Sequence, residues 1–350
     1  MKTDLSSSPW RKESGARISG ANPLDRDKVQ APCIVALPEG GYRLFYTAIG
    51  PAKPFADCQG YILSAVSDDG LSFHKEPGIR IAPNPGLLHL SLRALGPSVT
   101  WCDEGQWRMY FEARGSANQP TVISSAVSTD MLNWTLEDGI RLQSPGGVGG
   151  PRYCRLPDSR GRLYCFLSEY GPGGIRGGKL ISHNVVSAVT TDGLDFEIEP
   201  GVRLQDRQTA YDALGITAAE VLPPMAEGDT WTMVYSAWQD VPAGAEAPVH
   251  PSHDPTAVAT GRSADFAAAS IAADMSGFRS RIFVAHSTDG LTWTQGPCLI
   301  EGGGYDAEDI DAVHAEDMSL VRLDNHAFRM YYAACNRHGQ WQIASAVHGL

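Results

Sequence analysis

The chain has no apolar run long enough to cross a membrane as a helix. Its opening stretch, MKTDLSSSPWRKESG, lacks the apolar core of a secretory signal. Its seven cysteines stand in no C-x-x-C or Cys/His spacing, and an odd number leaves at least one unpaired within the chain. Positive charge is also short: 28 Lys and Arg against 40 Asp and Glu give a formal net charge of −12. These shortages predict a cytoplasmic protein with reduced thiols. They disfavour nucleic acid and membrane as partners and leave room for a neutral or cationic small molecule. No cofactor and no metal site is expected. The acidic stretch Tyr305–Asp317 has no EF-hand spacing and reads as a solvated loop rather than a Ca²⁺ site.

Glycine (37) and proline (23) are plentiful, which suits short strands joined by turns. The phrase SAVSDDGLSF at 64–73 returns as SAVSTDMLNW at 125–134, SAVTTDGLDF at 187–196 and VAHSTDGLTW at 284–293. SAVHGL at 345–350 begins a fifth copy. Ahead of each copy stands an apolar run, a turn and an aromatic-rich run, as in GPSVTWCDEGQWRMYFEA at 96–113, the pattern of a β-hairpin. Hairpin, third strand, tight Asp-Gly turn and fourth strand make a propeller blade. Met131 replaces the turn glycine once, which predicts strain or a different shape there. The fifth copy lacks its outer strand, and WRKESGARI at 10–18 matches FHKEPGIRI at 73–81. The expected fold is therefore all-β: a single-domain five-bladed β-propeller over residues 1–350. Its blades have four antiparallel strands, and the N-terminal strand completes the last one. An insertion at 238–279 falls on the variable-loop face as a candidate lid or homo-oligomer contact, with a short helix expected at 263–277. The repeated turn aspartates Asp69, Asp130, Asp192 and Asp289 read as turn formers that accept backbone N–H groups. Cys154 and Cys165 read as packing residues on neighbouring strands.

Long connections on one face of a rigid scaffold are where binding residues gather. At the start of the first strands the sequence offers Ala31, Gly96, Gly150, Glu220 and Asp317, with Glu316 beside the last. At the ends of the second strands it offers Thr47, Glu112, Ser168, Ser236 and Ala333. Two carboxylates across a cavity are the minimum for glycoside hydrolysis, one protonating the leaving oxygen and the other activating water or attacking the sugar. Glu220 is the expected proton donor and Asp317 the base, with the roles exchangeable. Glu316 completes the catalytic set. Glu112, Arg152, His314, Arg93, Glu169, Asp212, Trp238 and His183 are the expected substrate contacts, and Trp238 and Tyr211 could stack on a sugar ring.

Five blades, closure by the termini and the phrases GQWRMYFEA and STDGLTW resemble the five-bladed propeller superfamily of arabinanases, furanosidases, invertases and levansucrases. The resemblance covers nearly the whole chain. It implies a glycoside hydrolase of the family 43 or 32 kind acting on a small carbohydrate or glycoside. Those families set an aspartate at the start of blade 1, where this chain has Ala31–Pro32, and Gly96 and Gly150 stand at the next two places. A lyase, cyclase or isomerase, a phosphorylase, or a sugar-binding module without turnover stay open beside it.

Overall fold

The computed structural model describes residues 4–26, 28–50, 59–102, 105–116, 119–168, 175–176, 179–180, 183–205, 215–224, 229–239, 279–304, 306–323 and 327–350. In order the strands are β1 (Arg11–Ser19), β2 (Lys28–Ala36), β3 (Tyr42–Ile49), β4 (Gly60–Ser67) and β5 (His74–Lys75). There follow β6 (Arg93–Cys102), β7 (Gln106–Arg114), β8 (Val122–Ser128), β9 (Thr135–Leu136), β10 (Val148–Arg155) and β11 (Gly161–Ser168). Then come β12 (Ile175–Arg176), β13 (Lys179–Leu180), β14 (His183–Thr190), β15 (Glu197–Ile198), β16 (Gly215–Leu222) and β17 (Trp231–Gln239). The chain ends with β18 (Arg279–Ser287), β19 (Thr294–Ile300), β20 (His314–Arg322), β21 (Phe328–Cys335) and β22 (Trp341–His348). The only helical element among the described residues is a 3₁₀ turn at Leu88–Leu90.

The strands fall into antiparallel repeats. Repeat 1 is β2–β5, repeat 2 is β6–β9, repeat 3 is β10, β11, β14 and β15, and repeat 4 is β16–β19. Repeat 5 runs β20-β21-β22-β1, because the N-terminal strand pairs antiparallel with the C-terminal one, Lys12 opposite Ala346. The fold is all-β and propeller-like: first strands pack on first strands, β2 on β6, β6 on β10, β10 on β16, β16 on β20 and β20 on β2. The five largest apolar clusters each lie between two consecutive repeats. Phe45, Ile62, Met109 and Phe111 join repeats 1 and 2, Tyr110, Ile123 and Leu163 join 2 and 3, and Tyr164, Val185 and Met233 join 3 and 4. Trp10, Val234, Ile282 and Met330 join 4 and 5, and Ile18, Leu44, Leu63 and Tyr331 join 5 and 1. Burial of both sheet faces is why the strand phrases are apolar at nearly every position rather than alternating.

Polar clasps repeat with the strands. Arg43 reaches Glu76 at 2.9 Å, which also accepts from Ser64 at 2.6 Å. Arg108–Glu137–Ser125 and Arg162–Glu199–Ser187 copy it. In repeat 5 the glutamate is Glu13, bound by Arg329 at 2.9 Å and Ser345 at 2.7 Å across more than three hundred residues of sequence. The turn aspartates behave as their repetition suggests: Oδ1 of Asp69 accepts the N–H groups of Leu71 and Ser72, and Asp130, Asp192 and Asp289 do the same. Met131 keeps the shape of these turns rather than changing it, at φ 60° beside 72° for Gly70 and 78° for Gly193. Phe45 stands where repeats 2, 3 and 5 place a tyrosine whose hydroxyl donates to the turn carbonyl, and Met131 packs in the same cluster as Phe45. Cys154 and Cys165 are buried and unbonded, and all six described cysteines are free. The insertion expected at 238–279, with its helix at 263–277, lies outside the described residues from 240 to 278.

Candidate active site

Four of the first strands share one irregularity near their start. Residues 31–32, 96–97, 150–151 and 317–318 form a bulge in which two residues face one on the neighbouring strand. The first residue of each bulge is left-handed: Ala31 at φ 48°, Gly96 and Gly150 at 55°, Asp317 at 51°. Glycine takes this conformation without cost, and Asp is among the few side chains that tolerate it. Asp317 therefore sits on a backbone feature shared with Ala31, Gly96 and Gly150.

The register corrects two of the positional equivalences expected from sequence. Glu220 lies opposite Val234 and so matches Cys33, Ser98, Arg152 and Ser319, two residues beyond the bulge position. Repeat 4 carries its bulge earlier, between Ile216 and Ala218, and the stretch from Glu220 to Val234 is two residues longer than that from Cys33 to Phe45 or Ser98 to Tyr110, which shifts the count. On the second strands, Phe166 rather than Ser168 lies opposite the residue preceding the bulge.

These positions form two layers of contacts between repeats. In the outer layer the second-strand side chain accepts the bulge N–H of the next repeat: Thr47 from Gly96 at 2.9 Å, Glu112 from Gly150 at 3.2 Å, Ser236 from Asp317 at 3.4 Å. A hydroxyl suffices in two of these places, so the carboxylate of Glu112 has capacity beyond its structural bond. In the inner layer, Cys33 accepts the N–H of Val99, Ser98 that of Tyr153, and Ser319 that of Ile34. Glu220 accepts the N–H of Leu320 and pairs with Arg152 at 2.8 Å. Arg152 spans the hub. Its Nη1 donates to the carbonyls of Pro97 and Pro151, and its Nη2 to those of Pro32 and Met318, at 3.0–3.2 Å. Those are the carbonyls of the second residue of each of the four bulges. Bulging turns them toward the axis, and one guanidinium satisfies them all.

Above this plug the titratable groups collect. Burial raises Asp317 to about 7; Glu316 and Glu112 push in the same direction, while Arg152 and Lys28 oppose. Burial also raises Glu112, with Arg114, the Gly150 N–H and Arg93 holding it back. Glu220 is raised by burial against the pull of Arg152. Glu316 precedes Asp317 on β20 and is buried. His314, buried at the head of β20, stacks on Trp341 with ring centres 5.4 Å apart, and its Nδ1 accepts from the Ser280 N–H at 3.2 Å. Lys28 caps the same Trp341 ring at 4.1 Å.

The structure thus brings Asp317, Glu316, Glu112 and Arg152 into one electrostatic neighbourhood, with Arg93 acting on Glu112. Glu220 is drawn into the plug beneath. Glu169 and Asp212 lie outside the described residues, as does Tyr211. His183 and Trp238 lie on β14 and β17, but their side chains fall outside the described part. Sequence reading missed Asp25. It is fully buried, accepts from Tyr46 at 3.2 Å and pairs with Lys75. It also overlooked the anchoring role of Asp311: far from solvated, that residue is fully buried, 2.7 Å from Lys12, and accepts from Tyr332 at 2.9 Å. The available signal was spacing, since Asp25 precedes Ala31 by as many residues as Asp311 precedes Asp317.

No family model matches the chain and no curated protein resembles it in sequence. Solved structures do resemble it. A thermostable family-43 glycoside hydrolase superposes with a TM-score of 0.60 at 13% identity, over 94% of this chain and 91% of that one. This is the fold of the propeller glycoside hydrolases. An endo-arabinase from Bacteroides thetaiotaomicron gives a TM-score of 0.62 at 12% identity over 96% and 98% of the two chains. An N-acetylgalactosamine deacetylase from F. plautii, solved with blood group B trisaccharide, gives 0.62 at 13% over 97% and 96%. Within this propeller glycoside hydrolase fold the activities differ, so the fold does not choose the reaction.

Proposed function

We propose that the chain is a glycoside-hydrolase-like enzyme acting on a small carbohydrate or glycoside. It is read as one five-bladed propeller domain whose N-terminal strand completes the last blade, in the cytoplasm with its thiols reduced. Asp317 carries the proposal. A carboxyl raised to about 7 on a bulge that two other repeats fill with glycine is an acid prepared for proton donation near neutral pH. Relative to the sequence expectation, Asp317 passes from base to donor and Glu112 takes the second catalytic place in the stead of Glu220. Asp317 is the donor, and Glu112, raised by burial but held back by Arg114, the Gly150 N–H and Arg93, is the carboxylate that activates water or attacks the sugar. Glu220 holds Arg152 in place beneath them. Glu316, His314 and Arg93, with Glu169, Asp212, Trp238 and His183, are the proposed substrate contacts.

The test is a screen of aryl pentosides and hexosides with wild type, Asp317→Asn, Glu112→Gln and Glu220→Gln. Turnover falls by about 10²–10⁴-fold in the first two variants. Undiminished turnover in Asp317→Asn removes the assignment. Activity that requires added phosphate makes the protein a phosphorylase, and tight sugar binding without turnover makes it a binding module.

A further inference from the structure

A second arginine series runs around the outside of the fold. Arg17, Arg80, Arg141 and Arg203 each turn Nη2 back onto the carbonyl three residues earlier, at Ser14, Pro77, Asp138 and Pro200. Three of them then use Nη1 to fasten the next repeat. Arg17 donates to Leu71 at 3.0 Å, Arg80 to Leu132 at 2.9 Å and Arg141 to Leu194 at 3.2 Å. The matching acceptor for Arg203 is the carbonyl of Leu291 in the Asp289 turn, and this bond is absent among the described residues. The seam between repeats 3 and 4 thus lacks the arginine bond that three other seams have, and is crossed instead by Gln295 Nε2 donating to the Gln205 carbonyl at 3.0 Å and by the Tyr164 hydroxyl donating to the Gly290 carbonyl at 2.8 Å.

A groove of about 590 Å³ lies at this seam, walled by Pro200 and Val202–Gln205 on one side and by Asp289, Leu291–Trp293 and Gln295 on the other. That volume is in the range of small-molecule sites. Arg203 is only 7% exposed and lines the groove, with Nη2 on the Pro200 carbonyl and, among the described residues, no Nη1 bond to Leu291. The rest of the lining mixes donors and acceptors: the Gln205 and Gln295 amides, the Thr292 hydroxyl and the Asp289 carboxylate, beside the half-buried ring of Trp293. A phosphate or other compact anion would meet the Asp289 carboxylate, and a purely apolar ligand would strand these polar groups. Sugar hydroxyls both donate and accept, and a sugar's C–H face suits an indole.

We infer that the groove between repeats 3 and 4 is a saccharide-binding site, separate from the carboxylate site, with Arg203, Gln205, Thr292, Trp293 and Gln295 as its contact groups. It shares no lining residue with the Asp317 neighbourhood, and its occupation requires no turnover. The test follows the Trp293 indole N–H by NMR in the Asp317→Asn background while arabinotriose, mannotriose or galactotriose is added. At least one trisaccharide shifts this signal saturably. Val202→Trp fills the groove from a position that is 44% exposed and so leaves the core intact. Arg203→Gln removes the unfastened donor. Each weakens binding by about tenfold or more. No shift with any of the three sugars, or unchanged affinity in either variant, overturns the inference.

Discussion

Asp317 is the residue at which backbone, charge and chemistry meet. Its left-handed φ and the glycines at its counterparts mean that Asp317→Asn and Asp317→Gly both keep the bulge. The raised pKa then makes a signed prediction about stability. The unfolded value is 3.8 and the folded value about 7, so between those limits the folded chain binds more protons than the unfolded one. Stability contributed by this group therefore falls as pH rises from about 4 to about 7, and the loss is complete above that window. Asp317→Asn melts with wild type near pH 4 and outlasts it increasingly toward pH 8. The gap reaches a few kcal/mol at most, since a tenfold change in proton affinity corresponds to about 1.4 kcal/mol. Melting curves from pH 4 to 9 check this, and a gap that narrows with rising pH contradicts it. Where turnover is found, kcat/KM declines above about pH 7 as the proposed donor ionises. A purely steric site gives the opposite lesson. Gly193 has φ 78°, and a Cβ there would lie 2.2 Å from Arg108 Nη1 and 3.0 Å from the Tyr110 hydroxyl. Gly193→Ala is thus expected to cost about 2 kcal/mol or more in urea unfolding, although Met131 is accommodated in the same turn one repeat earlier.

At the scale of elements the decisive piece is β1. It brings Glu13 to Arg329 and Ser345, and Lys12 to Asp311, reproducing what Lys75 of β5 and the following Glu76 do inside repeat 1. Glu13→Ala should therefore destabilise about as much as Glu76→Ala, near 2 kcal/mol for a carboxylate serving several charged bonds. Removing residues 1–19 should bare the edge of β22 and turn a cooperative melt into aggregation. A truncated chain that melts like wild type would mean that β1 is dispensable. This pairing was legible in sequence because WRKESGARI and FHKEPGIRI keep Arg or His, Lys, Glu, Gly and Ile in step. Irregular elements were not legible. In repeat 4 the stretch from Glu220 to its partner Val234 is two residues longer than that from Ser98 to Tyr110 or from Arg152 to Tyr164, so Glu220 looked like a partner of Gly96 and Gly150 while lying one layer deeper. The run FLSE mimicked the YFEA ending of its neighbour and hid Phe166. Hydrophobic phrasing identifies strands, whereas bulge type is set by how adjacent strands meet.

Across the whole molecule the repeats converge on one side chain. Arg152 balances the charge of Glu220 from repeat 4 and donates N–H groups to carbonyls of repeats 1, 2, 3 and 5. Nothing in its sequence setting, GPRYCR, announces this, because the acceptors are backbone groups exposed only by bulges, most of them in other repeats. Arg152→Leu leaves a buried carboxylate and several carbonyls without partners, and a loss of about 3–5 kcal/mol is expected. Glu220→Leu alone strands the guanidinium charge and is expected to lose a similar amount. The double variant should recover part of either loss, so a double-mutant cycle in urea should depart clearly from additivity. Two independent, additive losses would mean that the two residues do not act as a pair. Arg152→Lys separates charge from shape. An ammonium can still face Glu220 but has three donors on one atom, whereas the guanidinium spreads five across a planar fork that spans the axis. If charge alone closed the hub, Lys would restore stability. Because four of the acceptors are neutral carbonyls on different repeats, the lysine variant should instead remain closer to Arg152→Leu than to wild type.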